Sequence, residues 1–486
     1  MPSKQGTGDR ARGTGQGERP RDWKERAFLR SALAEAGSFQ STAEALEWLS
    51  TSNAPFSVEP IPLECVDGWS FEEGTGNLVH KSGKFFRVEG IRVATNAGPV
   101  GRWEQPIIDQ PEIGILGIVA KEFDGILHFL MQAKMEPGNP SPVQLTPTVQ
   151  ATRSNYTQVH QGSRPRYVDY FLDSTRATRL VDQLQFEQAS AFLGKRNRNM
   201  VVLAADDVPV FENHRWLTMG QVKQLLGIPN MVSMDARTVL SCIPLVANGW
   251  DSASALEAPA GAFGAALLES MLERDRAAHG DDEVLSWLAD LRCRYELTIE
   301  RVPLRTVDAW SRGHFAITHD GGQYFSVVGV RVEATNREVA RWDQPLVKSV
   351  EKGLVGFLIQ RIHGVLHFLV QAKVEPGNVD ILSLGPTVQC VLGAERISDP
   401  ASWPPLADLI VGAPAERVRY SCTQAEEGGR FYHVENDYRV VELPESEDLR
   451  LSDAYCWVTL RQLNDLLRHG YVNIEARNLL ACLSLI

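Results

Sequence analysis

The sequence predicts an α+β fold built twice from one ancestral unit, and three observations carry that prediction. "LHFLMQAKMEPGN" (Leu127–Asn139) returns as "LHFLVQAKVEPGN" (Leu366–Asn378), differing only at Met131/Val370 and Met135/Val374. Further segments recur 239 residues on: "FFRVEGIRV" (Phe85–Val93) as "YFSVVGVRV", "GRWEQP" (Gly101–Pro106) as "ARWDQP", "PTVQAT" (Pro147–Thr152) as "PTVQCV", and "QFEQASAF" (Gln185–Phe192) as "QAEEGGRF". Within each copy, strand-like runs flank a loop-rich middle and helix-patterned segments lie at the ends, the mark of an α+β unit. A period this long is a tandem domain duplication, not a solenoid.

The elements follow in order. Residues 1–30 read as a disordered Gly/Arg-rich tail, because "MPSKQGTGDRARGTGQGERPR" offers little apolar surface to bury. The first repeat spans 31–250 and enters through "ALEWL" (Ala45–Leu49), which the second matches with "VLSWL" (Val284–Leu288). "KFFRVEGIRVAT", "GILGIVAKEF" and "GILHFLMQAKME" read as strands, by alternation or β-branched content with Gly or Pro at their ends. "TMGQVKQLLG" has helical spacing, with Thr218 as N-cap and Gly227 past the end. A connector occupies 251–282, where "APAGAFGA" (Ala258–Ala265) leads into a helix-like stretch near Leu267–Arg276. The second repeat occupies 283–486 and closes on "WVTLRQLNDLL" (Trp457–Leu467), the counterpart of "WLTMGQVKQLL" (Trp216–Leu226).

Composition narrows the function. With 486 residues, 43% hydrophobic and 23% charged, the chain is that of a multi-domain globular protein. A formal charge of −12 argues against a nucleic-acid partner, since phosphate backbones need clustered cations. No apolar run spans a membrane and no signal-peptide pattern opens the chain, so a cytoplasmic, membrane-free protein is expected. Seven cysteines without a CxxC pair, most of them in apolar stretches, fit free and mostly buried thiols in a reducing compartment.

If Leu127–Glu136 is a strand, Leu127, Phe129, Met131, Ala133 and Met135 share one face and His128, Leu130, Gln132, Lys134 and Glu136 the other. Both differences between copies fall on the apolar face, where hydrophobic swaps are tolerated. The unchanged polar face either lines a specific site in both halves or forms a buried polar network. Other duplicated groups suit a nucleotide. Arg102–Trp103 and Arg341–Trp342 place a cation beside an aromatic plate. Gln105/Gln344 and Gln150/Gln389 offer a donor and an acceptor to a base edge, and Thr148/Thr387 a donor to phosphate. The copies diverge after Phe192 and Phe431. The first continues with Lys195, Arg196, Asn197 and Arg198, a candidate anion clamp or a solvated basic turn. The second has Tyr432 and His433, able to move protons or simply a half-buried strand pair. P-loop, dinucleotide-binding and GxSxG patterns are absent. His363 and His367 lack the Glu of a zinc motif, and Asp124 stands at the first position in the other copy, so no metal site is expected.

These residues together resemble the NDP-hexose 2,3-dehydratases of deoxysugar biosynthesis. The likeness rests on "RWEQP"/"RWDQP", "QAKMEPGN"/"QAKVEPGN", "PTVQAT"/"PTVQC", "FLGKRNRN" and "EEGGRFYHVEN", and runs from about Ala43 to Ile486. It implies tandem Nudix-hydrolase-like mixed-sheet domains flanked by helices, without hydrolase activity, in a homodimer that binds a dTDP-sugar in each half. Asp437 departs from the family's more usual basic residue. The implied reaction removes water across C2–C3 of an NDP-4-keto-6-deoxyglucose without cofactor, giving a 3,4-diketo sugar for a 3-ketoreductase. On this resemblance His433 or Glu375 is the expected base, Tyr432 an acid or hydrogen-bond donor and Lys373 the enolate stabiliser. Arg341, Trp342, Gln344, Thr387, Gln389 and Arg430 are expected to hold the nucleotide there. Arg102, Trp103, Gln105, Lys134, Thr148, Gln150 and Lys195–Arg198 form the other expected pocket, a structural or regulatory site for the same ligand class, and the reverse assignment, with Lys134 and Glu136 catalytic, stays open. A non-catalytic nucleotide-sugar binder and a magnesium-dependent hydrolase are the alternatives.

Overall fold

The computed structural model describes residues 20–486 apart from positions 38, 53, 142, 154–163, 248, 251–260, 336–338 and 392–402. Each half holds a seven-stranded mixed sheet. In the first, the order is Ala177–Phe186, Arg196–Ala204, Gly114–Phe123, Ile126–Lys134, His214–Leu217. Gln144–Thr146 pairs with Ile126–Lys134, and Val149–Ala151 with Gly114–Phe123. Arg196–Ala204 runs parallel to Gly114–Phe123, and the remaining pairs are antiparallel. The second half repeats this order with Val418–Ala425, Glu435–Glu442, Gly353–Ile362, Val365–Lys373 and Tyr455–Thr459. The two central strands of each sheet meet in a two-residue hairpin. Asp124 and Gly125 take φ of 49° and 77°, and His363 and Gly364 take 53° and 79°, the left-handed pair that such a turn requires. His363 is therefore a turn residue.

Helix ends are set as the sequence suggests. Thr218 caps Met219–Leu225 in a reciprocal box with Gln221, and Thr459 does the same with Gln462 for Leu460–Arg468. The expected tail and connector are revised at one structural point. Trp23–Ala32 and Ala262–Leu272 are helices of the core, with Phe28, Leu267 and Leu268 fully buried. Ser31 donates to Leu127 O at 2.5 Å and Ser270 to Leu366 O at 2.6 Å, so the two helices are the same element 239 residues apart. The first helix begins within the expected tail and the second lies within the expected connector. Residues 1–19 of the tail and 251–260 of the connector lie outside the described residues.

The halves are interlocked. Phe56–Ile61 of the first half pairs with Phe325–Ala334 of the second, and Leu297–Val302 of the second pairs with Arg87–Thr95 of the first. Each exchange completes a smaller five-stranded sheet. Gly90 and Gly329 make it possible: a Cβ on Gly90 would lie 2.4 Å from Val307 Cγ2, and on Gly329 2.5 Å from Val66 Cγ2. Helices Met234–Ser241 and Ile474–Cys482 pack between the large sheets, and one apolar cluster runs through both halves, from Phe129 and Val239 to Phe368 and Leu480. Among the described residues, no helix is long and apolar enough to cross a membrane.

Candidate active site

The opening strand alternates as its sequence requires. Leu127, Phe129, Met131, Ala133 and Met135 are buried in the shared core, while Gln132, Lys134 and Glu136 keep some exposed surface on the other face. Lys134 Nζ lies 2.5 Å from Glu136 Oε1 and donates to Gln150 Oε1 at 2.7 Å. Gln150 in turn donates to Asp235, at the start of helix Met234–Ser241. The second half builds the same centre: Lys373 Nζ is 3.7 Å from Glu375, Gln389 donates to Glu375 at 3.2 Å, and Asn473 donates to Gln389 at 2.8 Å. Glu475 occupies the place of Asp235 at the start of its helix.

Each centre is closed by the other half. The "EPGN" turn after Lys134 sends Gly138 N–H to Gly428 O at 2.7 Å, and Gly138 O accepts from His433 N–H at 2.8 Å. Gly377 N–H reaches Ala189 O at 2.6 Å, and its own carbonyl accepts from Gly194 at 3.0 Å. The loop carrying Glu427, Arg430, Tyr432 and His433 therefore sits over Lys134–Glu136, and the loop carrying Gln188–Gly194 over Lys373–Glu375. This corrects the expected grouping of His433, Tyr432 and Arg430 with Lys373 and Glu375, because the strand exchange crosses the loops over. Tyr432 and His433 stack at 4.2 Å with 14° between their planes, Tyr432 beside Trp342, and His433 is exposed with φ of 51°.

Several expected ligand contacts are spent within the fold. Thr148 and Thr387 are buried where Val149–Ala151 and Val388–Val391 replace the neighbouring strand. Thr148 accepts from Val119 N–H at 2.9 Å and donates to Leu130 O, while Thr387 accepts from Leu358 N–H at 2.9 Å and donates to Leu369 O at 2.5 Å. Their hydroxyls substitute for a ladder hydrogen bond. Gln105 accepts from Trp103 Nε1 at 2.9 Å and donates to Ser190 O at 3.0 Å; Gln344 accepts from Trp342 Nε1 at 2.8 Å and donates to Gly429 O at 2.7 Å. These Trp–Gln pairs hold the crossing loops in place. Trp103 packs with Ile91, Ile107 and Ile299, and Trp342 with Val330 and Leu346, on the five-stranded sheets. Arg102 and Arg341 are exposed, Arg341 lying 3.9 Å from Glu333.

Strand alternation divides the Lys195–Arg198 run, with Lys195 and Asn197 on the side of Glu187 and Arg196 and Arg198 on the opposite face. Lys195 is buried and donates to Glu112 O; Asn197 donates to Glu187 at 2.7 Å. Arg196 begins the strand, half-buried, and Arg198 grips Asp182 at 2.6 and 2.5 Å.

A family model described as NDP-hexose 2,3-dehydratase matches residues 42–243 and 281–483, one segment in each half. The chain belongs to this family. Among curated relatives, the dTDP-4-dehydro-6-deoxy-alpha-D-glucopyranose 2,3-dehydratase of Saccharopolyspora spinosa is 47% identical over 468 residues, 94% of each chain. Its namesakes from Amycolatopsis orientalis and Streptomyces violaceoruber are 44% and 41% identical, covering 96% and 88% of this chain and 95% and 93% of their own.

In this member of the NDP-hexose 2,3-dehydratase family, the centres hold carboxyls that the sequence reading missed. Burial, reinforced by Glu187, holds Asp235 well above the usual carboxylate range; burial and Asp235 do the same to Glu427. Burial, Glu375 and Glu426 raise Glu475. Glu187 is pushed up to about 7 by burial, against Arg477 and Lys195, and burial pulls Lys195 down to about 8 against Glu187. A signal for two of them was present: "MDARTVLSC" (Met234–Cys242) and "IEARNLLAC" (Ile474–Cys482) are also duplicates, with Asp235 and Glu475 at one position. A cavity of about 350 Å³ beside Lys223, Tyr420, Cys482 and Ile486 is lined by none of these groups.

Proposed function

We infer that this protein removes water across C2–C3 of a dTDP-4-keto-6-deoxy-D-glucose, yielding the dTDP-3,4-diketo-2,6-dideoxy sugar. Membership of the family and the relatives' names support the reaction. The structural observation that carries it is the duplicated Lys–Glu–Gln centre with a carboxyl at a helix start, because elimination beside a ketone needs only a positioned base, acid and cation.

The chemistry follows from the substrate. The C4 ketone acidifies the C3 hydrogen, and a carboxylate removes it as a proton. The C–H pair becomes the C3–C4 double bond of an enolate, whose oxygen an ammonium group stabilises. The C4 carbonyl then re-forms, the double bond moves to C2–C3, and the C2 hydroxyl leaves as water with a proton from an acid. The C3 enol so produced takes a proton at C2 and releases its own. A positioned acid or base contributes roughly 10²–10⁴-fold.

Each half is further read as Nudix-like, on its mixed sheet with flanking helices, and the assembly as a homodimer. The product carries an acidic C2–H beside the anomeric diphosphate, so a 3-ketoreductase is expected to consume it before the nucleotide is lost. A cytoplasmic setting suits nucleotide sugars and seven free cysteines. The test is one incubation of the 4-keto sugar in D₂O followed by NMR: deuterium at C2 and slow release of dTDP are expected, and an unchanged sugar refutes the reading.

A further inference from the structure

The two centres share a lysine, a glutamate and a glutamine, and differ in what the opposite half lays over them. Over Lys134, Glu136 and Asp235 stand Glu427 and Arg430, both with some exposed surface. Over Lys373, Glu375 and Glu475 the equivalent positions are Gln188 and Ala191. Gln188 is already bound, donating to Glu426 at 2.6 Å and lying 2.8 Å from Met234 Sδ. At these two positions the loop that crosses the second-half centre therefore brings neither an ionisable group nor a cation.

We propose that dehydration takes place in the first-half centre, and that Glu427, delivered by the second half, is the acid that protonates the departing C2 hydroxyl. The assignment rests on the dehydratase reading above and names the residues that carry it out. Glu136 takes the C3 proton, and Lys134, 2.5 Å from Glu136, faces the enolate oxygen. When the C2–O bond breaks, the proton of Glu427 leaves with the hydroxide as water. The Glu427 carboxylate then accepts the proton of the C3 enol hydroxyl, while Glu136, its proton exchanged with solvent, protonates C2. Both groups end as they began, one water is lost, and nothing is oxidised or reduced overall.

The surroundings keep Glu427 protonated for this task. Asp235 faces it from the start of helix Met234–Ser241, Glu136 from the end of strand Ile126–Lys134, and Glu187 and Lys195 from the first half's own loop. Arg430 and the Gly429 N–H, which donates at 2.7 Å, oppose the shift from Glu427's own loop, but burial and the acidic neighbours prevail.

The decisive experiment compares Glu427→Gln with the wild type across pH, following diketo-sugar formation by NMR and folding by thermal melting. The wild type is expected to lose kcat on the alkaline side as Glu427 gives up its proton. Glu427→Gln is expected to fold, to lose roughly 10²–10⁴-fold in kcat, and to show a residual rate without that alkaline limb. Glu427→Asp, which restores a carboxyl, should recover part of the rate together with the limb. The assignment is overturned if Glu427→Gln turns over at the wild-type rate, if its alkaline limb stays in place, or if Glu375→Gln abolishes turnover while Glu427→Gln does not. A wild type that leaves the keto sugar untouched refutes the dehydratase reading itself and the assignment with it.

Discussion

Glu187 is 6% exposed and sits between Asn197, Lys195 and Arg477, yet burial outweighs these partners and raises its carboxyl to about 7. A group raised in the folded state binds its proton more tightly there than in the unfolded chain. Its stabilising contribution is thus full below the unfolded value near 4.5 and is lost as pH rises through about 7. Glu187→Gln removes the titration. Relative to wild type, its unfolding free energy should gain roughly 2–3 kcal/mol between pH 4 and pH 8. Urea melts at both pH values measure this, and a pH-independent difference would show that the carboxyl is not held protonated. At this scale the sequence was partly legible. Lys134, Glu136 and Gln150 stood out because strand alternation separates them from the apolar face. Thr148, Gln105 and their counterparts were equally visible as duplicates, but duplication preserves a structural clamp as faithfully as a ligand contact. Glu427 and Arg430 could not be matched to Lys134, because their meeting depends on a crossing of chains that no local pattern encodes.

Among the elements, the "EPGN" turn shows how a short motif carries a long-range duty. Its Pro and Gly suffice to predict a turn. The reason for the glycine lies elsewhere: a Cβ on Gly138 would come within 1.6 Å of Phe431 O, and on Gly377 within 1.8 Å of Phe192 O. Gly138→Ala must push the 424–438 loop away and break the backbone pair with Gly428 and His433. It should cost about 2–4 kcal/mol of stability by the usual scale of overpacking and unpaired buried backbone groups. It should also lower kcat, since the displaced loop carries Glu427. Gly377→Ala should cost comparable stability with a smaller effect on kcat, because the loop it displaces brings Gln188. Denaturant melts and initial rates on the two variants check this, and equal kinetic losses would contradict the functional asymmetry of the loops.

At the scale of the whole molecule, a repeat of 239 residues announces two copies but not which strand pairs with which. Each copy carries both an edge strand and a place for one, so pairing within a copy and exchange between copies satisfy the same alternation. The structure takes the exchange, and the consequences extend beyond the two small sheets. Arg237 and Arg477, both fully buried, reach across the halves. Arg237 donates to Ala425 O at 2.6 Å and to Gln424 Oε1 at 3.2 Å, and Arg477 donates to Phe186 O and Thr238. Stranding one buried guanidinium costs about 3–5 kcal/mol, against a total stability of about 5–15 kcal/mol for a typical domain. A half expressed alone, as residues 20–250 or 262–486, also loses the partner of one exchanged strand and opens the shared apolar cluster to water. Neither half should fold by itself. Co-expressed, they should assemble into an active complex, since every exchanged contact forms between intact segments. The intact chain should accordingly melt in one calorimetric transition. Circular dichroism and calorimetry of the separate and combined halves test this, and a cooperative thermal transition in either isolated half would show that the exchange is dispensable to the fold.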